Sequence, residues 1–464
     1  MTGLNPKGIA VILTILVSIW LFSVIVTADQ LGGITQFVLG VLVLGASGHI
    51  LQRLLGLEGE WGLLLLRERR GLEIVDKIAN WNPKLWETLT EIGFVMGFGA
   101  SAILIHPRIS RRTYALSLLL LLGTVYLIVP YILPIAVSVI SFPVKIGELA
   151  KNTPGVGIPF MQLIVIAIIF LGGFGMATAA GLVMNGANIL VYMAQVVLGM
   201  GTTATKVSPG ASFMIPGKNL PLIEGILALA VLLFVHELAH GIMARLGKIK
   251  LDSAGIVMFG ILPMGAFVDP DEKQLMASND DVQKKVLVAG STANFLTFLV
   301  SFFVLIGFLL VINGSAYEDS IVVDKIYNGT NLSVGMTIIA INNVSVYDVE
   351  SYVNARANVS ANSSANITTN LGVFEEKTDS GGNFAFYVTR PYKAGWSWAG
   401  FVYRLLALIF VLNFLVGSVN LLPIPMFDGH RIVALAVKNN FVMRVIAAII
   451  VGSFLVNFLP WIWM

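Results

Sequence analysis

Long apolar runs alternate with short polar segments along most of the chain. A run of about 20 apolar residues is long enough to cross the hydrocarbon core of a bilayer as a helix. Such runs occur near residues 8–28, 31–51, 114–142, 160–183, 220–245, 286–312, 397–419 and 440–462. Two further stretches, 92–106 and 187–205, are shorter or rich in glycine, and we expect them to be tilted, re-entrant or interfacial. The pattern predicts a polytopic α-helical membrane protein with about 8–10 spans.

The composition supports the prediction of a membrane protein and excludes several kinds of chemistry. Only 12% of the 464 residues are charged and 56% are hydrophobic, whereas soluble domains carry about 25% charged residues. The chain has no cysteine, so thiol catalysis, disulfides and cysteine-ligated zinc are excluded. A net charge of +3 is too small to indicate a nucleic-acid partner. The first apolar run is interpreted as a retained span, because no small-residue cleavage site follows it.

Two regions interrupt the apolar pattern. Residues 53–91 mix acidic and basic side chains and are expected to form a cytosolic amphipathic connector. Residues 313–395 carry 8 Asp or Glu and 5 Lys or Arg, a formal charge of −3, whereas the rest of the chain carries +6. This second region is predicted to be a folded aqueous domain. The chain then divides into an N-terminal membrane region, a membrane core, the insert and C-terminal membrane helices, at 1–205, 206–312, 313–395 and 396–464.

The asparagines of the insert predict its side of the membrane. Seven N-x-[ST] glycosylation sequons fall within it, at Asn313, Asn328, Asn331, Asn343, Asn358, Asn362 and Asn366. Glycosylation acts on the outer side of a membrane, so we expect an extracytoplasmic insert and a glycoprotein, although an Asn- and Ser-rich loop also produces sequons by composition. The positive-inside rule agrees if the basic residues near the flanking spans are cytosolic, namely Arg245, Lys248, Lys250, Lys273, Lys284, Lys285, Arg431, Lys438 and Arg444.

Short alternating segments predict a small β-rich fold for the insert. Strands are expected at 321–323, 336–341 and 383–388, and a short helix at 349–355. The order of strand, turn, strand and helix resembles a PDZ domain, although Met336-Thr337 stands where that family usually has Asp and Asn343 where it usually has Gly. The resemblance implies a groove that binds a peptide terminus by strand addition. A β-rich lid without a ligand is the alternative.

The apolar run 220–245 contains the sequence H-E-L-A-H. His236 and His240 are four residues apart, so on a helix they project from the same face and can chelate one Zn²⁺. Glu237 can then activate a water molecule and pass its proton to a leaving amine. Ionisable side chains in a membrane helix cost at least about 2.5–3.5 kcal/mol each on insertion scales, so a purely structural role would need internal hydrogen bonds to offset that cost.

A catalytic zinc site needs a third protein ligand and an open position for water. After the run 397–419 the chain reads N-L-L-P-I-P-M-F-D-G-H, and Asn420 together with two prolines interrupts the helix. Broken backbone at membrane depth is tolerated where it lines a protein cavity or water. Asp428 is therefore the best candidate for the third ligand, and His430 is the alternative. The other two histidines lie near span ends and are expected at the interface.

Three motifs together resemble those of the site-2 protease family of intramembrane zinc metalloproteases. They are H-E-L-A-H at 236–240, A-G-S-T-A-N at 289–294 and N-x-x-P-x-x-x-x-D-G at 420–429. Each motif alone is weak to moderate, but the set is specific. The resemblance implies that His236, His240 and Asp428 bind one Zn²⁺ per chain, with Glu237 as the general base.

The same resemblance assigns roles beyond the metal ligands. It implies that Asn294 holds the substrate peptide or stabilises the oxyanion, and that Asn420 lines the same cleft. Ser291 stands where the family usually has Pro, which puts a helix kink in doubt but removes no ligand. The resemblance covers about 220–435 and leaves roughly the first 200 residues outside it. Within it, Gly255–Asp269 resembles a re-entrant hairpin whose edge could pair with an unwound substrate; an interfacial loop is the alternative.

These features predict an intramembrane zinc endopeptidase whose partners are a transmembrane protein substrate and membrane lipid. Because the metal-binding run ends at Arg245, we expect the active site to lie nearer the cytosolic side. A prenyl-type membrane zinc protease would need a later Glu ligand within an apolar span, and the sequence has none. A silent binding module is disfavoured by the intact Glu237. A transporter would spread its charged residues over several spans, whereas here they gather at two motifs.

Overall fold

The computed structural model describes residues 6–26, 28, 31, 33–67, 69–140, 158–199, 209–212, 214–217, 219–313, 315–327 and 329–462. The chain forms two compact units. The smaller unit contains Val304–Tyr403, and the larger contains the described residues of Met1–Ile146, Pro154–Phe303 and Arg404–Met464. The sequon at Asn328 and the ends of the predicted stretches 114–142 and 187–205 lie outside the described residues.

Most of the regular structure is helical. The first elements are α1 (Pro6–Val26), α2 (Gly33–Leu55), β1 (Leu63–Arg67), α3 (Arg69–Trp81), α4 (Pro83–Phe98), α5 (Ala102–Ile105), α6 (Arg111–Leu127), α7 (Val129–Val139) and α8 (Ile158–Val197). They are followed by α9 (Leu222–Leu246), β2 (Leu251–Phe259), β3 (Leu262–Pro270), α10 (Glu272–Ala277) and α11 (Asp280–Asn313). The insert contains β4 (Ile321–Ile326), β5 (Thr337–Ile341), β6 (Val344–Ser345), α12 (Val349–Ala357), β7 (Ser364–Thr369), β8 (Gly372–Lys377) and β9 (Phe386–Thr389). The last helices are α13 (Trp398–Val419), α14 (Asp428–Ala436) and α15 (Asn440–Val456).

Eight helical segments among the described residues are long and apolar enough to cross a membrane. They are Pro6–Ile25, Val38–Leu55, Pro83–Ile105, Leu163–Val197, Leu222–Leu246, Asp280–Ile312, Trp398–Val419 and Asn440–Trp461. Helices α6 and α7 form a further candidate that is bent by 50°. The predicted multi-pass helical architecture is therefore confirmed, and the number of candidate spans agrees with the prediction.

One span begins earlier than the apolar pattern indicates. The stretch 92–106, expected to be short, is the end of the longer span Pro83–Ile105. Asn82 caps this helix, because its side chain accepts a hydrogen bond from the Leu85 amide at 3.2 Å. The charged residues in its first turns interrupt the apolar pattern there, although the residues from Gly93 to Phe98 are all buried.

Two other differences concern how the apolar runs are divided. The predicted stretch 160–183 and residues 187–197 of the stretch 187–205 fall within one helix, α8. This helix is kinked at Gly173, whose φ of 66° is readily adopted only by glycine. The run 114–142 is divided between α6 and α7, since Pro130 at the start of α7 has no N–H with which to continue α6.

A three-stranded antiparallel sheet with the order β1-β2-β3 packs against α9. β2 and β3 form the hairpin expected at Gly255–Asp269, and Gly260 supplies a positive φ of 59° in its turn. β1 pairs with β2 from Leu63 opposite Phe259 onward and covers the outer edge of the hairpin. Among the described strands, β3 therefore has one edge without a strand partner.

Elements before residue 200 also build the core around α9 and α11. Val75 of α3 is buried in a cluster with Ile242 and Met243 of α9. Gly93 of α4 lies so close to Thr292 of α11 that a Cβ would overlap the threonine side chain. Residues 53–91, expected to be a connector, thus contribute a strand and a helix to the packed unit.

The insert forms a six-stranded antiparallel sheet with its own core. The strand order is β8-β7-β5-β4-β9, and β6 pairs with β5. The predicted strands and the short helix are present, although the last strand begins at Phe386. Asn342 and Asn343 form the turn between β5 and β6, with φ values of 47° and 67° that asparagine tolerates. The core of the insert includes the buried apolar residues Ile321, Val323, Ile338, Ile341, Ile367 and Phe386.

Candidate metal centre

Helix α9 brings the two histidines of H-E-L-A-H together. Their spacing of four residues places both imidazoles on one face, one turn apart. The Nε2 atoms of His236 and His240 are 3.1 Å apart. Their rings meet edge-on, with centroids 4.7 Å apart. His236 is buried and His240 is half-buried, so the pair is held within protein.

Asp428 reaches the same point from the first residue of α14. The backbone between α13 and α14 folds back on itself, because the amide of Gly429 donates to the carbonyl of Asn420 at 2.9 Å. Glycine is needed there, since a Cβ on Gly429 would overlap the backbone of Leu421. As a result Asp428 Oδ2 lies 3.2 Å from His240 Nε2 and 3.6 Å from His236 Nε2.

These three donor atoms fit a zinc ion. Zn²⁺ bound tetrahedrally at about 2.0–2.2 Å needs ligand atoms about 3.3–3.5 Å from one another. The separations of 3.1, 3.2 and 3.6 Å average to that spacing. Two imidazoles and one carboxylate also form the donor set of catalytic zinc sites, which leave the fourth position to water or substrate. The group is thus a candidate site for one metal ion.

Neighbouring groups orient the candidate ligands. His240 Nδ1 lies 2.7 Å from the carbonyl oxygen of Val286, so an N–H there leaves Nε2 free for a metal. The side-chain amide of Asn420 donates to Asp428 Oδ2 at 2.6 Å. Burial raises the pKa of Asp428, but the two imidazoles lower it more strongly, and the net result lies well below its ordinary value. The carboxylate is therefore in the charged form that a metal ligand requires.

The other predicted site residues differ in burial and in their distance from the candidate ligands. Asn294 is fully buried against His236, and its amide nitrogen is 3.1 Å from Nδ1 of that ring. Glu237 is half-buried on α9 between the two histidines in sequence. His430, the alternative third ligand, lies outside the three-residue group, and its Nδ1 is 3.4 Å from the carbonyl oxygen of Pro423.

The position of one histidine, His106, differs from the prediction. His106, expected at the membrane interface, is buried, with its ring stacked on Phe94 at 4.8 Å and its Nδ1 3.0 Å from Asp281. Burial lowers the pKa of His106 to about 4, while Asp281 opposes the shift. The imidazole is therefore neutral near neutral pH and belongs to the packing between α4 and α11.

Sequence reasoning overlooked Gly290, which lies against the candidate metal centre. A Cβ at this position would overlap the Nε2 atoms of both His236 and His240. Gly290 lies midway between Val286 and Asn294, and the spacing of four residues places all three on one face of α11. The glycine of A-G-S-T-A-N was the available signal, since it keeps this face open to the two imidazoles.

Replacing Gly290 with alanine should therefore remove metal binding. The added methyl group would occupy space that the two Nε2 atoms use. Loss of an outer-shell partner alone costs about 10–100-fold in metal affinity, so displacement of ligand atoms should lower zinc affinity by at least about 100-fold. Gly307→Ala is the matched control on the same helix, because a Cβ there meets nothing within 4 Å. Zinc content per chain after dialysis measures both variants. Equal zinc in the two would contradict this account of Gly290.

Comparison with known proteins extends this picture. A family model described as Peptidase family M50 matches residues 224–458, just over half of the chain. The uncharacterized protein MJ0971 of Methanocaldococcus jannaschii is 40% identical over 85 residues, which are 18% of this chain and 23% of that protein. The chain thus matches less than a quarter of the length of that relative. The matched family segment contains all three candidate ligands.

Proposed function

The chain belongs to peptidase family M50, and from this premise we propose that it is a zinc-dependent endopeptidase that cuts peptide bonds within transmembrane segments of other proteins. Family membership and the apolar helices support a multi-pass membrane metalloprotease. The observation that carries the finer proposal is the convergence of His236, His240 and Asp428 at spacings that suit one Zn²⁺.

The chemistry of hydrolysis divides between the metal and the chain. Zinc at this site would supply Lewis acidity to a water molecule and to the scissile carbonyl. Glu237 takes a proton from the attacking water as the water oxygen bonds to the carbonyl carbon. When the C–N bond breaks, Glu237 delivers that proton to the leaving amine. Asn420, half-buried beside Asp428, can donate a hydrogen bond to the oxygen that becomes negative.

A transmembrane helix must unwind before its backbone can be cut, and its freed amides then need new partners. The edge of β3 is suited to this role, because β1 already covers the other side of the hairpin. Pro263 and Pro270 in β3 are typical of an edge strand. An apolar cavity of about 310 Å³ beside the start of β3, lined in part by Leu44, Leu262 and Met264, would accept apolar substrate side chains.

Charge and exposure support one orientation of the chain in the membrane. Five sequon asparagines of the insert are exposed, which suits an extracytoplasmic glycosylated domain, namely Asn331, Asn343, Asn358, Asn362 and Asn366. His240 precedes the basic residue Arg245 by five positions, or about 7.5 Å along the helix. The metal centre would then lie nearer the cytosolic side. The insert would act in substrate selection by binding a peptide terminus as a PDZ-like domain does.

Cleavage of a single-span test substrate by detergent-purified protein tests the proposal. We expect a cut within the apolar segment, loss of cleavage with 1,10-phenanthroline, and recovery when zinc is restored. The non-chelating isomer 1,7-phenanthroline is the matched control and should have no effect. Mass spectrometry of the products locates the cut.

Three outcomes would contradict the proposal in different ways. Cleavage that persists in the chelated, zinc-free protein would exclude zinc-dependent hydrolysis. Zinc-free wild-type protein that also fails to bind added Zn²⁺ would favour a silent binding module. A chain with one bound zinc that leaves several unrelated single-span substrates intact would contradict a general endopeptidase activity.

A further inference from the structure

We infer that Asn294 is a positioning residue that accepts a hydrogen bond from the Nδ1–H of His236 and so keeps Nε2 of that ring free for zinc. This rests on the proposed zinc site, but it changes the role that the sequence resemblance assigned to Asn294. Other groups would then contact the substrate or the oxyanion. Asn420, whose side-chain amide is half-buried, is the candidate for this contact.

The contact between the two side chains identifies the hydrogen bond. Asn294 has no exposed surface, and its side-chain nitrogen faces His236 Nδ1 at 3.1 Å. In that orientation Nδ1 would have to accept, and the neutral ring would carry its proton on Nε2, where the metal must bind. The oxygen and nitrogen ends of an amide are assigned from the hydrogen-bond network. Rotating this amide places the oxygen against Nδ1–H and leaves Nε2 unprotonated.

Asn294 Oδ1 is buried and, among the described residues, has no hydrogen-bond partner in its present position, so no donor holds it there. A buried carbonyl oxygen without a donor is costly, by about 1–3 kcal/mol, and this favours an orientation in which the oxygen has one. The Nδ1–H of His236 is a donor at the required distance.

The second histidine shows the same arrangement. His240 Nδ1 lies 2.7 Å from the carbonyl oxygen of Val286, and metal-binding histidines commonly donate their other ring N–H to such an acceptor. Val286 and Asn294 are eight residues apart on one face of α11, with Gly290 between them. Helix α11 thus supplies a hydrogen-bond acceptor to each imidazole, and Gly290 leaves open space between the two acceptors.

The packing around Asn294 argues against direct contact with substrate. A Cβ built on Gly417 of α13 would lie 3.1 Å from Asn294 Cβ, so α13 encloses the residue on that side. Its neighbour Phe295 is also buried. A substrate carbonyl could reach the Asn294 amide only if these helices separated, whereas His236 already touches it.

Zinc affinity of full-length protein in detergent, measured with Zn²⁺ and a competing chromophoric chelator, tests this role without reference to proteolysis. Asn294→Leu removes the acceptor and should weaken zinc binding by about 10–100-fold, the usual effect of losing an outer-shell partner. Asn294→Asp keeps an oxygen acceptor and should bind zinc about as tightly as wild type. This rescue by aspartate distinguishes an acceptor from a packing role.

Asn413→Leu is the matched control. Asn413 is likewise fully buried with an unpartnered Oδ1, but its amide donates to the carbonyl of Ile409 within α13, and it has no contact with the candidate ligands among the described residues. We expect zinc affinity to be unchanged. If Asn294→Leu binds zinc as wild type does, the inference is overturned and the proposed function stands. If wild-type protein binds no zinc, both are overturned. Equal loss in the Leu and Asp variants would also contradict an acceptor role.

Discussion

Changing Glu237 to glutamine should abolish proteolysis while leaving zinc in place. Glutamine has nearly the shape of glutamate but cannot accept the proton of the attacking water or return it to the leaving amine. Loss of a general base typically costs about 10²–10⁴-fold in rate. The three candidate ligands are other residues, so we expect one zinc per chain as in wild type. Cleavage rate and zinc content are measured on the same purified sample.

Glu224→Gln provides a control on the same helix. Glu224 lies in the first turn of α9 and accepts a hydrogen bond from Arg404 Nε at 2.8 Å, and a glutamine oxygen can still accept it. We expect this variant to cleave at close to the wild-type rate. If both variants cleave equally, Glu237 is not the general base. If Glu237→Gln also loses zinc, its role is in metal binding.

The parts of the structure that were predictable are those in which one local pattern determines the outcome. Long apolar runs give spans because a bilayer leaves the backbone few other choices. The four-residue spacing of His236 and His240 places them on one helical face in any packing. Asp428 could be proposed as the third ligand because few ionisable side chains follow the broken helix.

The parts that were missed depend on contacts distant in sequence. The segment Leu63–Arg67 lies in the predicted polar connector, yet as β1 it completes the sheet by pairing with residues of the hairpin that are 188 to 196 positions later. The prediction divides α8 at Asn185 and Gly186, which interrupt the apolar run, yet the helix continues through both residues. The closeness of Gly290 to both imidazoles depends on how α9 and α11 pack against each other. A local sequence pattern does not predict that packing.

The role of Asn294 illustrates the same limit. Its motif predicts that it lies near the metal, and the structure places it against His236. Whether it faces substrate or ligand depends on its exposure, and its complete burial comes from α13 on the far side. A family resemblance therefore locates such a residue better than it defines its partner.

Changing Asp428 to asparagine should remove most of the bound zinc. Asparagine keeps the shape and an oxygen for the Asn420 amide, which now donates to Asp428 Oδ2 at 2.6 Å, but it lacks the negative charge that offsets a divalent cation. Outer-shell changes cost about 10–100-fold in metal affinity, so a lost ligand charge should cost at least about 100-fold. Proteolysis should fall with the zinc content. Competition with a chelator and cleavage assays measure the two effects.

His430→Gln distinguishes between the two candidates for the third ligand. His430 is two residues from Asp428 and lies in the same helical turn, so the two side chains must be tested one at a time. Its Nδ1 lies 3.4 Å from the carbonyl oxygen of Pro423, and among the described residues it lies outside the group of three candidate ligands, so its loss should leave zinc affinity unchanged. If zinc is instead lost from His430→Gln and kept in Asp428→Asn, the loop between α13 and α14 must rearrange on metal binding. The carboxylate at the start of α14 would then hold the Asn420 amide in place, and the zinc would be bound by three histidines.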